Sequence, residues 1–154
     1  LLKVFNYETD IFLVFNTFGI DLYKYYRNND ISKDDLQSFT KQIALGIEFI
    51  HGYDIIHMDL KPENILIHNK QLKLIDLGSS MIEGPNIYNS YIQSRYYRAP
   101  EVVFDLNIKK AVDIWSYGCI LYELVQGTPL MPAKHADELV LYYKYIYMFF
   151  INEG

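Results

Sequence analysis

The pattern of hydrophobic residues changes along the chain: short apolar runs come first, and a helical spacing follows. Two apolar runs, at residues 4–5 and 11–15, flank the polar stretch 6–10. Short apolar runs on either side of a polar turn are typical of an antiparallel β-hairpin. Residues 16–19, with the sequence Asn-Thr-Phe-Gly, then break the pattern. We therefore expect one hairpin whose second strand ends at residues 16–19.

A helical spacing takes over after residue 31. Apolar residues that recur every three or four positions predict one buried helix face: Leu36, Phe39, Ile43, Ile47 and Ile50. Ser32 can cap the first turn, and Gly52 follows the last. Further on, residues 111–126 are apolar on almost every side, which predicts a buried central helix that ends at Gly127.

The composition is that of a folded domain with a mild negative charge. The 154 residues are 51% hydrophobic and 16% aromatic, which excludes a disordered chain. The net charge of -5 is spread along the sequence, so neither a nucleic-acid surface nor a membrane anchor is expected. The apolar stretches 114–125 and 139–151 are shorter than the ~20 residues of a membrane span. Cys119 is the single cysteine, so we expect a buried thiol in an intracellular protein, cytoplasmic or nuclear, that is not secreted.

The residues with the clearest chemistry lie in the loop HMDLKPEN, at residues 57–64. Asp59 can accept a proton from a hydroxyl group, and Lys61 can neutralise a phosphate. Asn64 and, twelve residues later, Asp76 offer the hard oxygen ligands that Mg²⁺ takes. The spacing of these groups points to phosphoryl transfer.

A second predicted hairpin connects the two oxygen ligands. Apolar runs at residues 65–67 and 72–75 flank a polar turn. Asn64 and Asp76 would therefore return to the same end of this hairpin, where they can share one metal ion.

Two other interpretations compete with phosphoryl transfer. Aspartate, lysine, proline and asparagine are ordinary turn residues, and any one of them alone is most simply part of a solvated loop. A metal-dependent hydrolase would need a cluster of histidine, cysteine or carboxylate ligands with the spacing of a zinc site. The histidines are instead scattered along the sequence: His51, His57, His68 and His135.

The order of the motifs resembles that of the protein-kinase family. The loop is followed by Asp-Leu-Gly at residues 76–78 and by Ala-Pro-Glu at residues 99–101. The resemblance covers residues 2–140 and implies an α+β, protein kinase-like fold that is mainly the helical C-lobe. Residues 1–18 would be the end of the N-lobe and the hinge, and residues 19–154 an incomplete C-lobe. ATP and Mg²⁺ are the implied cofactors, and a protein with a serine or threonine hydroxyl is the implied substrate.

Under this resemblance the nucleotide would lie against residues on both sides of the hinge. Phe15 falls at the gatekeeper position, and Asn16 to Phe18 would supply the backbone that meets adenine. Asp21 falls near the ribose, and Leu66 would form the floor of the adenine pocket. Phe15 and Phe18 have a simpler interpretation as core packing, since aromatic residues in strands usually pack.

The resemblance also assigns roles to the polar loop. It implies two catalytic residues and two Mg²⁺ ligands: Asp59 and Lys61, and Asn64 and Asp76. Two further residues would be structural. His57 would brace the Asp-Leu-Gly segment, and Asp113 would hold the backbone of the catalytic loop.

Residues 91–101, YIQSRYYRAPE, narrow the resemblance within the CMGC group. They are similar to the activation segment of dual-specificity tyrosine-regulated kinases and homeodomain-interacting protein kinases. There the tyrosine matching Tyr91 is phosphorylated by the kinase itself, and arginines matching Arg95 and Arg98 hold the phosphate. Met58 stands where most kinases carry a phosphate-reading arginine. The simpler alternative makes Arg95 and Arg98 solvated loop cations.

The sequence lacks most of the N-lobe that a working kinase needs. It contains no Gly-x-Gly-x-x-Gly loop over the phosphates, and it lacks the lysine of the third strand and the glutamate of the following helix. It starts at Leu1, inside a strand-like pattern, and reads as an internal segment without a signal peptide. One hypothesis is a dual-specificity serine/threonine kinase that autophosphorylates on tyrosine, represented here by a fragment. The other is a truncated, catalytically inactive kinase-like module that acts only by binding.

Overall fold

The computed structural model describes residues 1–85 and 92–152, with side chains described up to residue 148. The described residues form an α+β fold, as predicted. The strands are β1 (Lys3–Tyr7), β2 (Asp10–Val14), β3 (Ile20–Asp21), β4 (Ile55–Ile56), β5 (Ile65–His68), β6 (Gln71–Leu74) and β7 (Met81–Ile82). The helices are α1 (Leu22–Asn28), α2 (Lys33–His51), α3 (Pro100–Val103), α4 (Ala111–Gln126) and α5 (Ala136–Asn152).

Strands β1 and β2 form the predicted first hairpin. They pair antiparallel, with Lys3 opposite Val14. The rings of Phe5 and Phe12 stack across the two strands with centroids 5.1 Å apart. Every residue of both strands is exposed, so the hairpin contributes little to the core.

Strands β3, β5 and β6 form a separate antiparallel sheet with β5 in the middle. Its β5–β6 half is the second predicted hairpin. Gly19, directly before β3, brings the chain against β5. It has a left-handed φ of +53°, and a Cβ atom at this position would lie 1.8 Å from the carbonyl oxygen of Ile67. Only glycine permits this approach of the two segments.

Helix α2 begins and ends where the sequence predicts. Ser32 caps the first turn with its side-chain oxygen, and Gly52 is the C-cap residue. The predicted face is buried at Phe39, Ile43 and Ile47. These side chains belong to one core shared by helices and the central sheet, with further members Leu22, Ile65, Ile120, Met131 and Leu139.

Helix α4 has the predicted bounds, and Gly127 ends it with a left-handed φ of +74°. The prediction that nearly every side of this helix is buried was wrong. Ile114 is 53% exposed and Val125 is 59% exposed, because only one side of the helix packs against α2 and the loops. Cys119 is buried as predicted, and burial raises the pKa of its thiol to about 12.

A second, smaller core lies under the loop at residues 57–64, the predicted catalytic loop. Met58 is fully buried there and contacts a cluster that includes Ile56, Ala99 and Val102. Strand β4 leads into this loop and pairs with β7. This pairing was not predicted from the sequence.

Helix α5 carries the aromatic run that follows Pro132 in the sequence. Leu139 and Tyr143 are buried, whereas Tyr145 and Tyr147 are exposed. Within the described ranges, neither α5 nor any other helix combines the length and the apolar character needed to cross a bilayer.

Candidate active site

The carboxylate of Asp59 is the point where three of the predicted site residues meet. Lys61 donates a hydrogen bond from Nζ to Asp59 Oδ2 at 2.9 Å. Asn64 donates from Nδ2 to the Asp59 carbonyl oxygen at 2.8 Å and to Oδ2 at 3.1 Å. A 3₁₀ turn at Pro62–Asn64 returns the chain so that the Asn64 N–H donates to the Lys61 carbonyl. The local fold thus brings side chains two and five positions away onto one carboxylate.

Ser94 completes this cluster and was not predicted from the sequence. Its hydroxyl donates to Asp59 Oδ1 at 2.7 Å, and its N–H donates to the same oxygen at 3.1 Å. Lys61 Nζ donates to the Ser94 hydroxyl oxygen at 3.0 Å. The only sequence signal for this role is that Ser94 stands in the motif at residues 91–101.

Asp59 is held in its charged form. Burial alone would raise the pKa of its carboxyl group, but hydrogen bonds from Lys61 and Ser94 outweigh burial and lower the pKa. The side chain remains 18% exposed, so an outside group can reach it. The site therefore presents an oriented carboxylate beside an ammonium group.

Asp113 holds the backbone of the catalytic loop, as predicted. Its fully buried carboxylate accepts the His57 N–H at 2.8 Å and the Met58 N–H at 3.0 Å. His51 Nε2 lies 2.8 Å from the same carboxylate. The buried His57 ring bridges to the Ile75 carbonyl oxygen at 3.0 Å, directly before the Asp-Leu-Gly segment. The Asp113 carboxylate therefore fixes the start of the catalytic loop, and the His57 ring links that loop to the segment that leads into Asp76.

Asn64 and Asp76 lie at the same end of the β5–β6 hairpin, as predicted. The Ile75 N–H donates to the Asn64 carbonyl at 3.0 Å, one residue before Asp76. Asp76 is exposed with a left-handed φ of 63°, and its Oδ1 accepts the Gly78 N–H at 3.3 Å. Neither Asn64 Oδ1 nor Asp76 Oδ2 accepts a hydrogen bond from the described residues. Two open oxygens suit Mg²⁺, which commonly takes one or two protein carboxylates together with substrate phosphates.

The hydrolase alternative finds no ligand set in the described parts of the chain. No group of three or more histidine, cysteine, aspartate and glutamate side chains in those parts is arranged to hold a metal ion. The two oxygen donors next to the catalytic loop are consequently the better candidate for a cation.

Two of the predicted nucleotide-contacting residues meet across strands. Asp21 in β3 lies opposite Leu66 in β5, and its carboxylate caps helix α1. Phe18 lies against the same hairpin, with its ring centroid 5.9 Å from that of His68 and 4.1 Å from Lys73 Nζ. These contacts place the predicted hinge residue Phe18 directly on the β5–β6 hairpin.

Phe15 and Asn16, in contrast to Phe18, Asp21 and Leu66, are both exposed. Phe15 is 61% exposed, so the core-packing alternative is wrong for this residue within the described part of the chain. It holds in part for Phe18, which packs on its neighbours. Contact of Phe15 and Asn16 with a nucleotide stays a prediction.

The two arginines of the predicted activation segment bind main-chain carbonyls. Arg95 donates from Nη1 to the Lys134 carbonyl oxygen. Arg98 donates from Nε and Nη2 to the Gln93 carbonyl oxygen at 3.2 Å and 2.8 Å. Tyr91 lies outside the described residues, so phosphate binding by Arg95 and Arg98 stays a prediction.

Comparison with known proteins agrees with this geometry. The chain matches the protein kinase domain family over residues 1–149. It is 39% identical over 146 residues to dual specificity tyrosine-phosphorylation-regulated kinase 3 of Homo sapiens, which covers 90% of this chain and 25% of that protein. It is 42% identical over 127 residues to mitogen-activated protein kinase HOG1 of Candida albicans, which covers 81% of this chain and 33% of that protein.

The chain thus spans between a quarter and a third of the length of these two relatives. The family match extends over nearly all of the chain and confirms the protein-kinase resemblance and the kinase-like fold. The two relatives agree with the narrower resemblance to the CMGC group. The chain belongs to the protein kinase family.

Proposed function

We propose that this chain is the catalytic-loop part of a kinase that transfers the γ-phosphoryl group of ATP to a serine or threonine hydroxyl of a protein. Asp59 accepts the hydroxyl proton while the hydroxyl oxygen bonds to phosphorus and the bond to the departing ADP oxygen breaks. Lys61 offsets the charge on the transferred group.

One observation carries this proposal. The Ser94 hydroxyl lies between the Asp59 carboxylate, 2.7 Å away, and the Lys61 ammonium, 3.0 Å away. An acceptor hydroxyl requires the same two partners, a base for its proton and a cation near its oxygen. The site therefore already binds a hydroxyl in the manner that the reaction needs.

Asn64 and Asp76 would hold Mg²⁺, with Asn64 Oδ1 and Asp76 Oδ2 as the donors. When bound, Mg²⁺ neutralises phosphate oxygens and orients them. The hydrogen bonds from Asn64 Nδ2 to Asp59 support this arrangement, because they turn the amide nitrogen toward the base and leave the amide oxygen free for a cation.

The nucleotide would lie along the hinge. In the proposal, Phe15 is the gatekeeper, Asn16 to Phe18 meet adenine through their backbone, Asp21 lies near the ribose and Leu66 forms the pocket floor. The pairing of Asp21 with Leu66 supports this placement, since it sets the two residues side by side next to the catalytic loop.

Regulation would depend on Tyr91. We propose that the kinase phosphorylates this tyrosine itself and that Arg95 and Arg98 bind the phosphate. Met58 supports this assignment of the arginines, because its buried apolar side chain in the catalytic loop cannot bind a phosphate. Replacing Tyr91 with phenylalanine is expected to weaken phosphoryl transfer.

A second candidate function is a catalytically inactive kinase-like module that acts by binding alone. It differs from the first proposal in a measurable way, since it needs no proton acceptor at Asp59.

The test uses the protein encoded by the full transcript, including any sequence upstream of Leu1. Phosphate transfer from ATP to a serine-containing protein is measured for the natural protein and for Asp59→Asn. We expect a loss of about 100-fold or more, as for removal of a general base. Asp137→Asn, at an exposed position of α5, is the matched control and keeps full activity. Equal activity of Asp59→Asn and the natural protein, or none in the natural protein, favours the binding module.

A further inference from the structure

The segment that follows strand β7 is bound to the start of helix α4. Glu83 lies directly after β7, and Lys110 is the N-cap residue of α4. The Lys110 backbone N–H donates to Glu83 Oε1 at 3.3 Å, and Lys110 Nζ lies 3.4 Å from Glu83 Oε2. Lys109 Nζ donates to the carbonyl oxygen of the next residue, Gly84, at 2.7 Å. Two neighbouring lysines thus hold two neighbouring residues of this segment.

Lys110 also binds the residue that precedes strand β4. Its Nζ donates to Asp54 Oδ1 at 2.6 Å. The Glu83 N–H donates to the Asp54 carbonyl oxygen at 2.6 Å, which extends the antiparallel pairing of β4 with β7 beyond Ile55 and Ile82. One ammonium group therefore contacts a carboxylate on each side of this strand pair.

The charges in this cluster support one another. A single exposed ion pair stabilises a protein little, but Lys110 binds two carboxylates at once. The Glu83 carboxylate also lies at the N-terminus of a 16-residue helix, where the helix dipole favours a negative charge. The hydrogen bond between Lys110 and Asp54 lowers the pKa of the carboxyl group and raises the pKa of the ammonium group. Both groups are therefore charged at neutral pH.

The start of helix α4 is thereby connected to both segments that carry the proposed Mg²⁺ ligands. Asp113, in the first turn of α4, holds the backbone of the loop that leads to Asn64. Lys110, three positions earlier, holds the segment that begins at Asp76 and continues into β7. A shift of this segment away from β4 would move the chain that follows Asp76.

We propose that Lys110 and Glu83 are positioning residues that hold the segment after the Asp-Leu-Gly motif against strand β4 and thereby keep Asp76 beside Asn64. Neither residue contacts the reacting groups in this assignment, since both act through the backbone between Asp76 and β7. The inference rests on the proposed function only where it gives Asp76 a role in binding Mg²⁺.

Hydrogen exchange, measured by mass spectrometry on the protein encoded by the full transcript, tests the positioning directly. In Lys110→Met we expect residues 81–83 to exchange about fivefold faster, the effect of losing two exposed ion pairs. Strands β5 and β6 should keep their exchange rate, because only the contact with β4 opens. Lys110→Arg should behave like the natural protein, as should Lys41→Met, which removes the same charge at an exposed position of α2. Equal exchange in Lys110→Met and Lys41→Met, or faster exchange of β5 and β6 as well, overturns the proposal.

The Mg²⁺ dependence of phosphate transfer, measured on the same proteins, tests the link to Asp76. We expect Lys110→Met and Glu83→Gln to raise the Mg²⁺ concentration for half-maximal rate about threefold, less than the loss of a group that contacts a metal ligand directly. The rate at saturating Mg²⁺ should persist, because Asp59 is untouched. An unchanged Mg²⁺ requirement overturns the link to Asp76. If the natural protein transfers no phosphate, the proposed function fails instead, and hydrogen exchange alone decides whether Lys110 holds the segment.

Discussion

At the residue scale, two opposing effects set the charge of Asp59. Burial favours the neutral acid, while hydrogen bonds from Lys61 and Ser94 favour the carboxylate and prevail, so the pKa is lowered. The folded pKa then lies below the value of about 3.9 expected in an unfolded chain. The carboxylate stabilises the fold above that unfolded value, and this contribution is lost as the pH falls through the folded pKa.

Replacing Ser94 with alanine tests this balance. The change removes the hydroxyl donor to Asp59 Oδ1 and leaves the N–H donor and Lys61 in place. We expect the pKa of Asp59 to rise, because fewer hydrogen bonds then offset the effect of burial, which raises the pKa. Titration of the carboxyl carbon by NMR measures the shift. Ser79→Ala, at an exposed position near Asp76, is the control, and a pKa of Asp59 that moves equally in both variants would contradict the prediction.

At the scale of elements, helix α4 carries the site. Its buried side reaches two different segments through three side-chain hydrogen-bonding residues. Asp113 binds the catalytic loop, Ser116 binds the Tyr97 carbonyl at 2.7 Å, and Glu123 binds the Tyr97 hydroxyl. The end of the activation segment and the catalytic loop therefore share one rigid support.

Removing the first of these contacts should destabilise the chain. Asp113→Ala leaves the buried N–H groups of His57 and Met58 without an acceptor. We expect a loss of about 2–4 kcal/mol in the free energy of unfolding, since each unsatisfied buried group costs about 1–3 kcal/mol. Urea denaturation measures it. Asp137→Ala, at an exposed position of α5, should change the midpoint little, and a similarly small change for Asp113→Ala would refute the role given to α4.

Alanine substitutions at two glycines distinguish the stability cost of backbone strain from that of a steric clash. Gly127→Ala places a side chain at φ +74° in open space and should cost about 1–2 kcal/mol, the penalty of a left-handed residue. Gly19→Ala adds to similar strain a Cβ atom 1.8 Å from the Ile67 carbonyl oxygen. We expect the Gly19 variant to lose clearly more stability in urea denaturation, because the hinge must move off β5. Equal losses would show that the close approach is not needed.

At the scale of the whole molecule, apolar side chains are distributed unevenly. The helices and the central sheet share a continuous core, whereas the β1–β2 hairpin leaves Phe5 41% exposed and Ile11 70% exposed. Exposed apolar groups of this kind promote association between molecules. A two-stranded hairpin by itself is only marginally stable. The stability of the described chain therefore resides in residues after the hinge.

Deleting residues 1–15 should consequently leave the rest intact. We expect the free energy of unfolding to change by less than about 0.5 kcal/mol, as for surface changes away from a core. Light scattering of the shortened chain should also show less self-association. Urea denaturation of both proteins measures the first effect. A markedly lower midpoint for the shortened chain would mean that the hairpin packs on the core after all.

Much of the site could be predicted because its spacing is local. Asp59, Lys61 and Asn64 lie within six positions, and one 3₁₀ turn brings them together. The cap at Ser32 and the hairpin that joins Asn64 to Asp76 likewise depend on neighbours in the sequence. Helix bounds and turn positions follow from the same short-range preferences.

The sequence by itself determined the family, the hairpins, the principal helices and the polar residues of the catalytic loop, because these depend on short motifs and hydrophobic periods. Only the tertiary structure decided which distant groups complete the site. Ser94 reaches Asp59 across 35 positions, and Tyr26 reaches Glu123 across 97. It also showed that α4 is buried on one side only. Such contacts follow from how separate elements pack, and no local pattern encodes that packing.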